Sequence, residues 1–488
     1  MNDIHKAIFF SALEKYGSFI FFIIATAILA RLLTPEEFGI YALVNAITTI
    51  AASYFHEFGG ANYLIQKDDI SERNIRTAFT VTFITSAFVA LLLMLFRDVA
   101  AHFFSQDGLR LGLAVCALNF LLVPISVVIS ALLRRDLAFG ALGRCNILSN
   151  VANSLSSIAL AAAGYSYMAP IFGMLIGTIV LTILLLVHAG SVRMLRPSLE
   201  GYRDVLEFGA YSGTVVIINV LYQWSPQLFL GRLMDFATVG LYTRAVSITQ
   251  VFDRLVFQVL NPIIMPAVFS QTRTGVKLRD TFLSAIELLS VLQWPFLLFL
   301  AIMSHTIILL WLGPTWIEVV PLVQFLSIAS LSLVAAPLTY PVLVGVGRIK
   351  DTVAASLISL PPSFIVVFLA ANYGATAVAA SALITFPFQA LVALYFVGRR
   401  VGIDAMDMVK AVSRSAAVAA TSSVAVLAFL ALSSSMNAGP IVTLVLASVS
   451  AAASWIAALY ATNHELLNQF KLVVRRLTQR RVASSATK

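Results

Sequence analysis

TRAVSITQVFDRLVFQVLN, residues 243–261, has the apolar content of a helix in lipid and yet carries a polar face along its length. Thr243, Ser247, Gln250, Arg254, Gln258 and Asn261 follow one another at steps of four, three, four, four and three, which aligns them in one row of an α-helix. Leu255, Val256, Val259 and Leu260 point elsewhere. A guanidinium in the middle of a membrane helix costs at least about 2.5–3.5 kcal/mol on insertion scales, so such a residue faces a water-filled cavity or a partner. We read the row as a cavity wall. The alternative is a polar face packed against neighbouring helices, with Arg254 neutralised by Asp253 or Glu57.

The chain around this stretch belongs in a membrane. Hydrophobic residues make up 60% of it and charged residues 11%, with a mean hydropathy of +0.92, against about 45–50% apolar in soluble domains. Windows of about 20 residues place spans near 11–32, 37–57, 77–96, 110–133, 143–163 and 167–188. A second group lies near 207–230, 238–263, 281–304, 318–346, 352–371 and 375–397, and a last pair near 411–432 and 439–461. The total is about 14 helices; the span at 318–346 is long and broken by Pro337 and Pro341. The first span is long enough to cross and no small-residue cleavage site follows it, so it is expected to remain as a helix.

Of the 32 basic residues, 26 fall on one side of this arrangement, which under the positive-inside rule makes both termini cytoplasmic. The net charge of +9 is therefore a topology signal and gives no support to nucleic-acid binding. Cys116 and Cys145 lack disulfide or metal-ligand spacing, and no cofactor is indicated.

The chain also repeats. RLLTPEEFGIY (31–41) matches RLMDFATVGLY (232–242) at an offset of 201, and the segments around Pro124 and Arg135 match those around Pro337 and Arg348 at 213. Six helices separate the copies, an even number, so the halves have the same orientation and an axis along the membrane normal relates them. The expected architecture is all-α, with two pseudo-symmetric six-helix lobes (1–190 and 191–400) around a central cavity, an additional helix pair (401–462) and a basic amphipathic tail (463–488) lying on membrane lipids. Within the repeat, Thr34 and Asp235 read as N-caps, Pro35 as the first helical residue, and Gly39 and Gly240 as sites of close helix packing. Arg31 and Arg232 either snorkel to the surface or line the cavity mouth.

The second helix has its own stripe, Asn45, Thr49, Ser53 and Glu57, at steps of four. At the offset of 201, Thr49, Ser53 and Glu57 fall on Gln250, Arg254 and Gln258, so symmetry sets the two polar faces opposite each other. The seventh helix adds Asn219, Tyr222, Gln223 and Gln227 around an expected break at Pro226. Glu287, about two turns into its helix, is a candidate functional charge with Glu57 and Asp253. Trp224, Trp311, Trp316 and Trp455 are expected at membrane interfaces, and Trp294 in packing.

ARLLTPEEFGIYAL (30–43), FHEFGGANYLIQK (55–67) and GLYTRA (240–245) resemble the bacterial polysaccharide flippases of the MOP exporter superfamily, which includes Wzx-type oligosaccharide-lipid flippases. The resemblance implies two six-helix lobes with an added pair at 411–460, and movement of an undecaprenyl-pyrophosphate-linked glycan between the leaflets of the bacterial inner membrane for exopolysaccharide, capsule or O-antigen synthesis. A polysaccharide polymerase and chain-length machinery are the implied partners. His56, before Glu57, departs from the small polar residue of the family pattern.

Such a substrate suits the residues. Arg254 and Arg244, with Arg31 and Arg232 at the mouth, would attract pyrophosphate, and Asn, Gln and Tyr suit sugar hydroxyls. The chain has no nucleotide-binding P-loop, so energy is expected from a substrate or ion gradient, with Glu57 and Asp253 as coupling candidates. A drug exporter of the same fold would instead need cation-binding carboxylates. A membrane polymerase or glycosyltransferase would need larger external loops, and the sequence has no H-E-x-x-H or other ligand-spaced His cluster, so no enzyme is expected.

Overall fold

A computed structural model describes residues 3–57, 60–67, 69–190, 196–256, 278–433 and 439–469. It is all-α among the described residues. The first lobe consists of α1 (Asp3–Leu32), α2 (Pro35–Glu57), a short α3 (Gly60–Gln66), α4 (Glu72–Phe103), α5 (Gly108–Arg135), α6 (Phe139–Ala162) and α7 (Met168–Ala189). The second consists of α8 (Tyr202–Leu233), α9 (Phe236–Thr249), α10 (Val251–Leu255), α11 (Leu278–Trp311), α12 (Val319–Ser330), α13 (Ala336–Gly345), α14 (Ile349–Ala371) and α15 (Ala375–Val401). The extra pair, α16 (Ala405–Ser433) and α17 (Pro440–Ala461), packs on α11.

Ten candidate spans among the described residues are long and apolar enough to cross a membrane. Phe139–Ala162 is not one of them although it has 24 residues. Asn146, Asn150 and Asn153 lower its hydropathy, and all three line a cavity.

Three local features differ from the sequence reading. The helix expected at 238–263 stops at Thr249, turns at Gln250 and resumes as Val251–Leu255. Just before the break the Ser247 hydroxyl donates to the Thr243 carbonyl and the Thr249 hydroxyl to the Ala245 carbonyl, both at 2.9 Å, and such back-bonding bends helices. By contrast α8 runs unbroken through Pro226. Proline leaves the Tyr222 carbonyl without its usual donor, and the Ser225 hydroxyl supplies one at 2.8 Å. The span expected at 318–346 passes from α12 through a 3₁₀ segment, Leu331–Ala335, into α13, with Pro337 in the first turn of the last piece, where a missing N–H costs nothing.

The caps appear as the repeat requires. Thr34 and Glu37 form a reciprocal capping box: the Thr34 amide donates to Glu37 Oε2 at 2.8 Å, and the Glu37 amide to Thr34 Oγ1 at 3.3 Å. Asp235 Oδ1 accepts from the Thr238 amide at 2.7 Å. The two capped ends then meet. A Cβ on Gly39 would collide with the Phe236 carbonyl, and a Cβ on Gly240 with the Pro35 carbonyl. Phe236 is Pro35 plus 201 and Gly240 is Gly39 plus 201, so the contact has the two-fold form that the repeat predicts.

Four tryptophan indoles tie neighbouring elements together through backbone carbonyls. Trp316 is 0% exposed and its Nε1 donates to the Ala30 carbonyl at 2.6 Å. Trp311 Nε1 donates to the Ile23 carbonyl at 3.1 Å, Trp455 Nε1 to the Val291 carbonyl at 3.0 Å and Trp294 Nε1 to the Leu331 carbonyl at 2.9 Å.

The extra pair is fixed to α11 by a buried polar cluster. His464, 0% exposed, accepts the Leu466 amide at Nδ1 (3.2 Å), and its Nε2 lies 3.1 Å from Ser415 Oγ and 3.7 Å from Glu287 Oε1. Arg414 Nη1 lies 3.8 Å from the same Glu287 oxygen. An acceptor at Nδ1 requires the neutral ring. Burial, aided by Arg414 and opposed by Glu465, holds the imidazole pKa below its usual value of 6.5.

Gly39→Ala and Gly240→Ala set a methyl against backbone, so each loses at least the ~1–3 kcal/mol typical of overpacking, read as a lower melting temperature in detergent. Gly17→Ala, whose nearest new neighbour is Ile147 Cδ1 at 3.8 Å, leaves it unchanged. For His464, a depressed folded pKa means that the unfolded chain binds the proton first, so its contribution is complete above the usual value and declines as pH falls below it. The melting temperature therefore drops from about pH 7.5 to about pH 5.5, and it drops less in His464→Asn.

Candidate functional site

Between the lobes lies a cavity of about 860 Å³, within the range of sites that enclose small ligands, about 300–1,000 Å³. One wall is α6, which contributes Asn146, Ser149, Asn150, Asn153, Ser154 and Ser157. Asn146, Asn150, Asn153 and Ser157 recur at steps of four, three and four, the periodicity that singled out the eighth helix. Sequence reasoning passed over this row, because its residues are uncharged and the flanking segment is only weakly polar. The signal was present in the spacing.

The facing wall comes from α9, α10, α2 and α8. Thr243, Arg244, Ser247, Gln250 and Arg254 line it, with Tyr41 and Asn45 from α2 and Gln223, Trp224 and Gln227 from α8. At one end stands Lys15, which is exposed. At the other, Phe38 and Arg244 are buried beside Trp316. The Gly39–Gly240 contact closes that end.

Both arginines rest on aromatic rings. Arg254 Cζ is 4.1 Å from the Phe22 ring centroid. Arg244 Cζ is 3.5 Å from that of Phe38 and 5.3 Å from that of Trp316. Arg244 is 3% exposed, and its Nε and Nη2 have no hydrogen-bond partner among the described residues. No ion pair involves either arginine there, and no carboxylate lines the cavity among those residues. A desolvated cation–π contact contributes about 2 kcal/mol, which offsets part of the insertion cost and leaves the in-plane donors of Arg244 free.

Other expected residues lie elsewhere. Arg31 is exposed and donates to the Leu310 carbonyl at 3.0 Å, and Arg232 is exposed with its Cζ 5.2 Å from the Phe103 ring centroid. They stand at helix ends before the Thr34 and Asp235 caps, on the outer side of the closed end, and do not line the cavity. Thr49 and Ser53 also do not line it; the Ser53 hydroxyl turns back to the Thr49 carbonyl at 2.6 Å. The two polar faces are therefore not used symmetrically: Gln250 and Arg254 line the cavity, and their counterparts Thr49 and Ser53 do not.

Asn219 is exposed and outside the lining. Tyr222 faces the interior of the second lobe, where Gln389 Nε2 donates to its hydroxyl at 2.7 Å and to Ser363 Oγ at 3.2 Å. Asp253 is exposed and does not line the cavity. Glu287 sits in the His464 cluster, away from it. Gln258, Asn261 and the Glu57 side chain lie outside the described residues.

A family model described as polysaccharide biosynthesis protein matches residues 28–321. The lipopolysaccharide biosynthesis protein WzxC of Escherichia coli (strain K12) is 24% identical over 313 residues, 63% of this chain and 63% of that protein. The teichuronic acid biosynthesis protein TuaB of Bacillus subtilis (strain 168) is 25% identical over 332 residues, 67% of this chain and 68% of that protein. The chain thus spans about two thirds of the length of these relatives. A solved structure of the lipid II flippase MurJ, in an inward closed conformation, superposes with a TM-score of 0.72 at 11% identity, covering 94% of this chain and 99% of that one. At that identity the likeness is one of fold.

The cavity walls are testable by single-cysteine labelling in a Cys116→Ala, Cys145→Ala background, both native thiols being buried. Asn150→Cys and Ser247→Cys are expected to react with a water-soluble maleimide. Thr182→Cys, on the buried side of α7, is expected to react far more slowly.

Proposed function

The chain belongs to the polysaccharide biosynthesis protein family, and from that premise we propose that it is a transporter, not an enzyme, which flips an undecaprenyl-pyrophosphate-linked oligosaccharide across the bacterial inner membrane. One observation carries the reading. Two guanidinium groups, Arg244 and Arg254, border a cavity whose described lining has amides and hydroxyls but no carboxylate. Such a lining suits a ligand with an anionic centre and many hydroxyls. The relatives named for lipopolysaccharide and teichuronic acid biosynthesis support the same class of cargo.

In this mechanism the pyrophosphate engages the arginines, because charge-assisted bonds from guanidinium to phosphate are strong and bidentate. The α6 amides take sugar hydroxyls, exchanging bonds to water for bonds to protein. The polyprenyl chain stays in the bilayer. The bias of basic residues orients the Lys15 end to the cytoplasm, so the cavity loads from the cytoplasmic leaflet with its periplasmic end sealed. Movement of one lobe against the other reverses access, and a polymerase and chain-length machinery receive the glycan outside. A drug exporter of the same fold finds no counter-charge for a cationic drug in the described lining.

Deletion of the gene is expected to leave lipid-linked oligosaccharide on the cytoplasmic leaflet, and wild type to clear it. Arg254→Ala fails to complement and Arg254→Lys complements partially. Binding of undecaprenyl pyrophosphate weakens roughly ten- to hundredfold in Arg254→Ala, the equivalent of losing one charge-assisted hydrogen bond. Full rescue by Arg254→Ala removes that residue from the substrate path, and glycan polymerisation by purified protein replaces the transporter reading with an enzyme.

A further inference from the structure

Arg244 belongs to two structures at once. Its in-plane atoms Nε and Nη2 are buried without a partner among the described residues and the residue lines the cavity. The face of its guanidinium lies on Phe38, 3.5 Å from the ring centroid. Phe38 in turn meets Trp316 edge-on at 6.0 Å, and Trp316 is tied to the end of α1 through the Ala30 carbonyl. The residue after Phe38 is Gly39, half of the backbone contact that closes this end. The described residue with the most exacting unmet demand for an anion is therefore stacked on the seal itself.

We propose that Arg244 is the sensor through which an anion in the cavity releases the closed end. This rests on the reading of the cavity as a pyrophosphate site and adds to it how loading is coupled to opening. Nε and the outer Nη nitrogen of an arginine form the side-on fork that fits two oxygens of a phosphate, and in Arg244 both are buried without a protein partner among the described residues. An oxyanion docking there neutralises the guanidinium. Cation–π attraction depends on net positive charge over the ring, so the hold of Arg244 on Phe38 and Trp316 weakens when the fork is filled. The empty protein favours the sealed state, in which the guanidinium has the rings as its partner. The loaded protein loses that preference, and an anion shifts the equilibrium only because it binds the two states differently. Arg254, stacked on Phe22 and not on the seal, contributes affinity without this coupling.

The test is a distance measurement across the seal in nanodiscs, with spin labels at Glu36→Cys and Ala237→Cys, a pair related by the 201-residue repeat, in the background lacking both native cysteines. Undecaprenyl pyrophosphate is the probe, and its binding is followed separately by native mass spectrometry. Wild type is expected to shift to longer distances by several ångströms at saturating probe, and Arg254→Gln to reach the same shift at higher probe concentration. Arg244→Gln is expected to bind the probe through Arg254 and stay sealed. Phe38→Leu is expected to show the longer distance without probe. Probe-dependent opening of Arg244→Gln to the wild-type extent overturns the proposal, as does a Phe38→Leu protein that stays sealed when empty. Wild type that binds probe without widening sinks this inference alone, whereas wild type that does not bind the probe sinks the pyrophosphate site and this inference with it.

Discussion

Direct contact between two backbones at Gly39 and Gly240 is the constraint on which the rest depends. Helices can approach that closely only where no side chain intervenes, and here each glycine faces the carbonyl of the residue that begins the other's helix. The capping box at Thr34 and the Asp235 cap satisfy the exposed amides of those two ends, so the ends can meet without stranding polar groups. Once they meet, α2 and α9 diverge from a fixed point. The space between the lobes is then closed at the Gly39 end and hollow below it.

What fills the divergence explains how a membrane protein tolerates so polar an interior. Each wall puts its amides and hydroxyls in one row at helical spacing, and the backs of the same helices stay apolar. Hydroxyls are also satisfied by backbone carbonyls: Ser247 turns to Thr243 in its own helix, and Ser149 of α6 to the Gly177 carbonyl of α7 at 2.8 Å. The cost appears elsewhere, in Phe139–Ala162, which lacks the apolarity to be recognised as a span and is held by its contacts with α1 and α7. Tertiary packing thus substitutes for lipid as the environment of the polar helices.

These relations set what was legible in the sequence. Composition and periodicity identify an all-α membrane protein, and the repeat gives its pseudo-symmetry, because Gly39, Gly240 and the caps are local chemistry that must recur wherever the contact recurs. Gln250 and Arg254 were readable for the same reason, as a row on one face. Arg31 and Arg232 were not, since a repeated arginine at a helix end looks the same on either side of a seal. Thr49 and Ser53 follow the offset faithfully, but pseudo-symmetry in sequence does not oblige both halves to present the same face to the cavity. Pro226 suggested a break because the rescuing hydroxyl of Ser225 works through a backbone carbonyl that no side-chain pattern reveals. Trp316 looks interfacial in a loop between spans, and only the fold brings the Ala30 carbonyl to its indole nitrogen.

The electrostatics of the cavity point beyond packing. A guanidinium surrounded by protein is ordinarily matched by a carboxylate, because leaving a buried charge unpaired is more costly than the pair is favourable. Arg244 and Arg254 have rings instead. An aromatic face balances part of the charge but accepts no in-plane hydrogen bond, so the arrangement is stable enough to persist and incomplete enough to favour an anion. A carboxylate in the same place would have made a more stable resting protein and, under the proposed function, a poorer anion site, since an incoming phosphate would have to displace it. The choice of Phe22, Phe38 and Trp316 as neighbours is therefore what makes these arginines available, and it ties the availability of Arg244 to the integrity of the closed end.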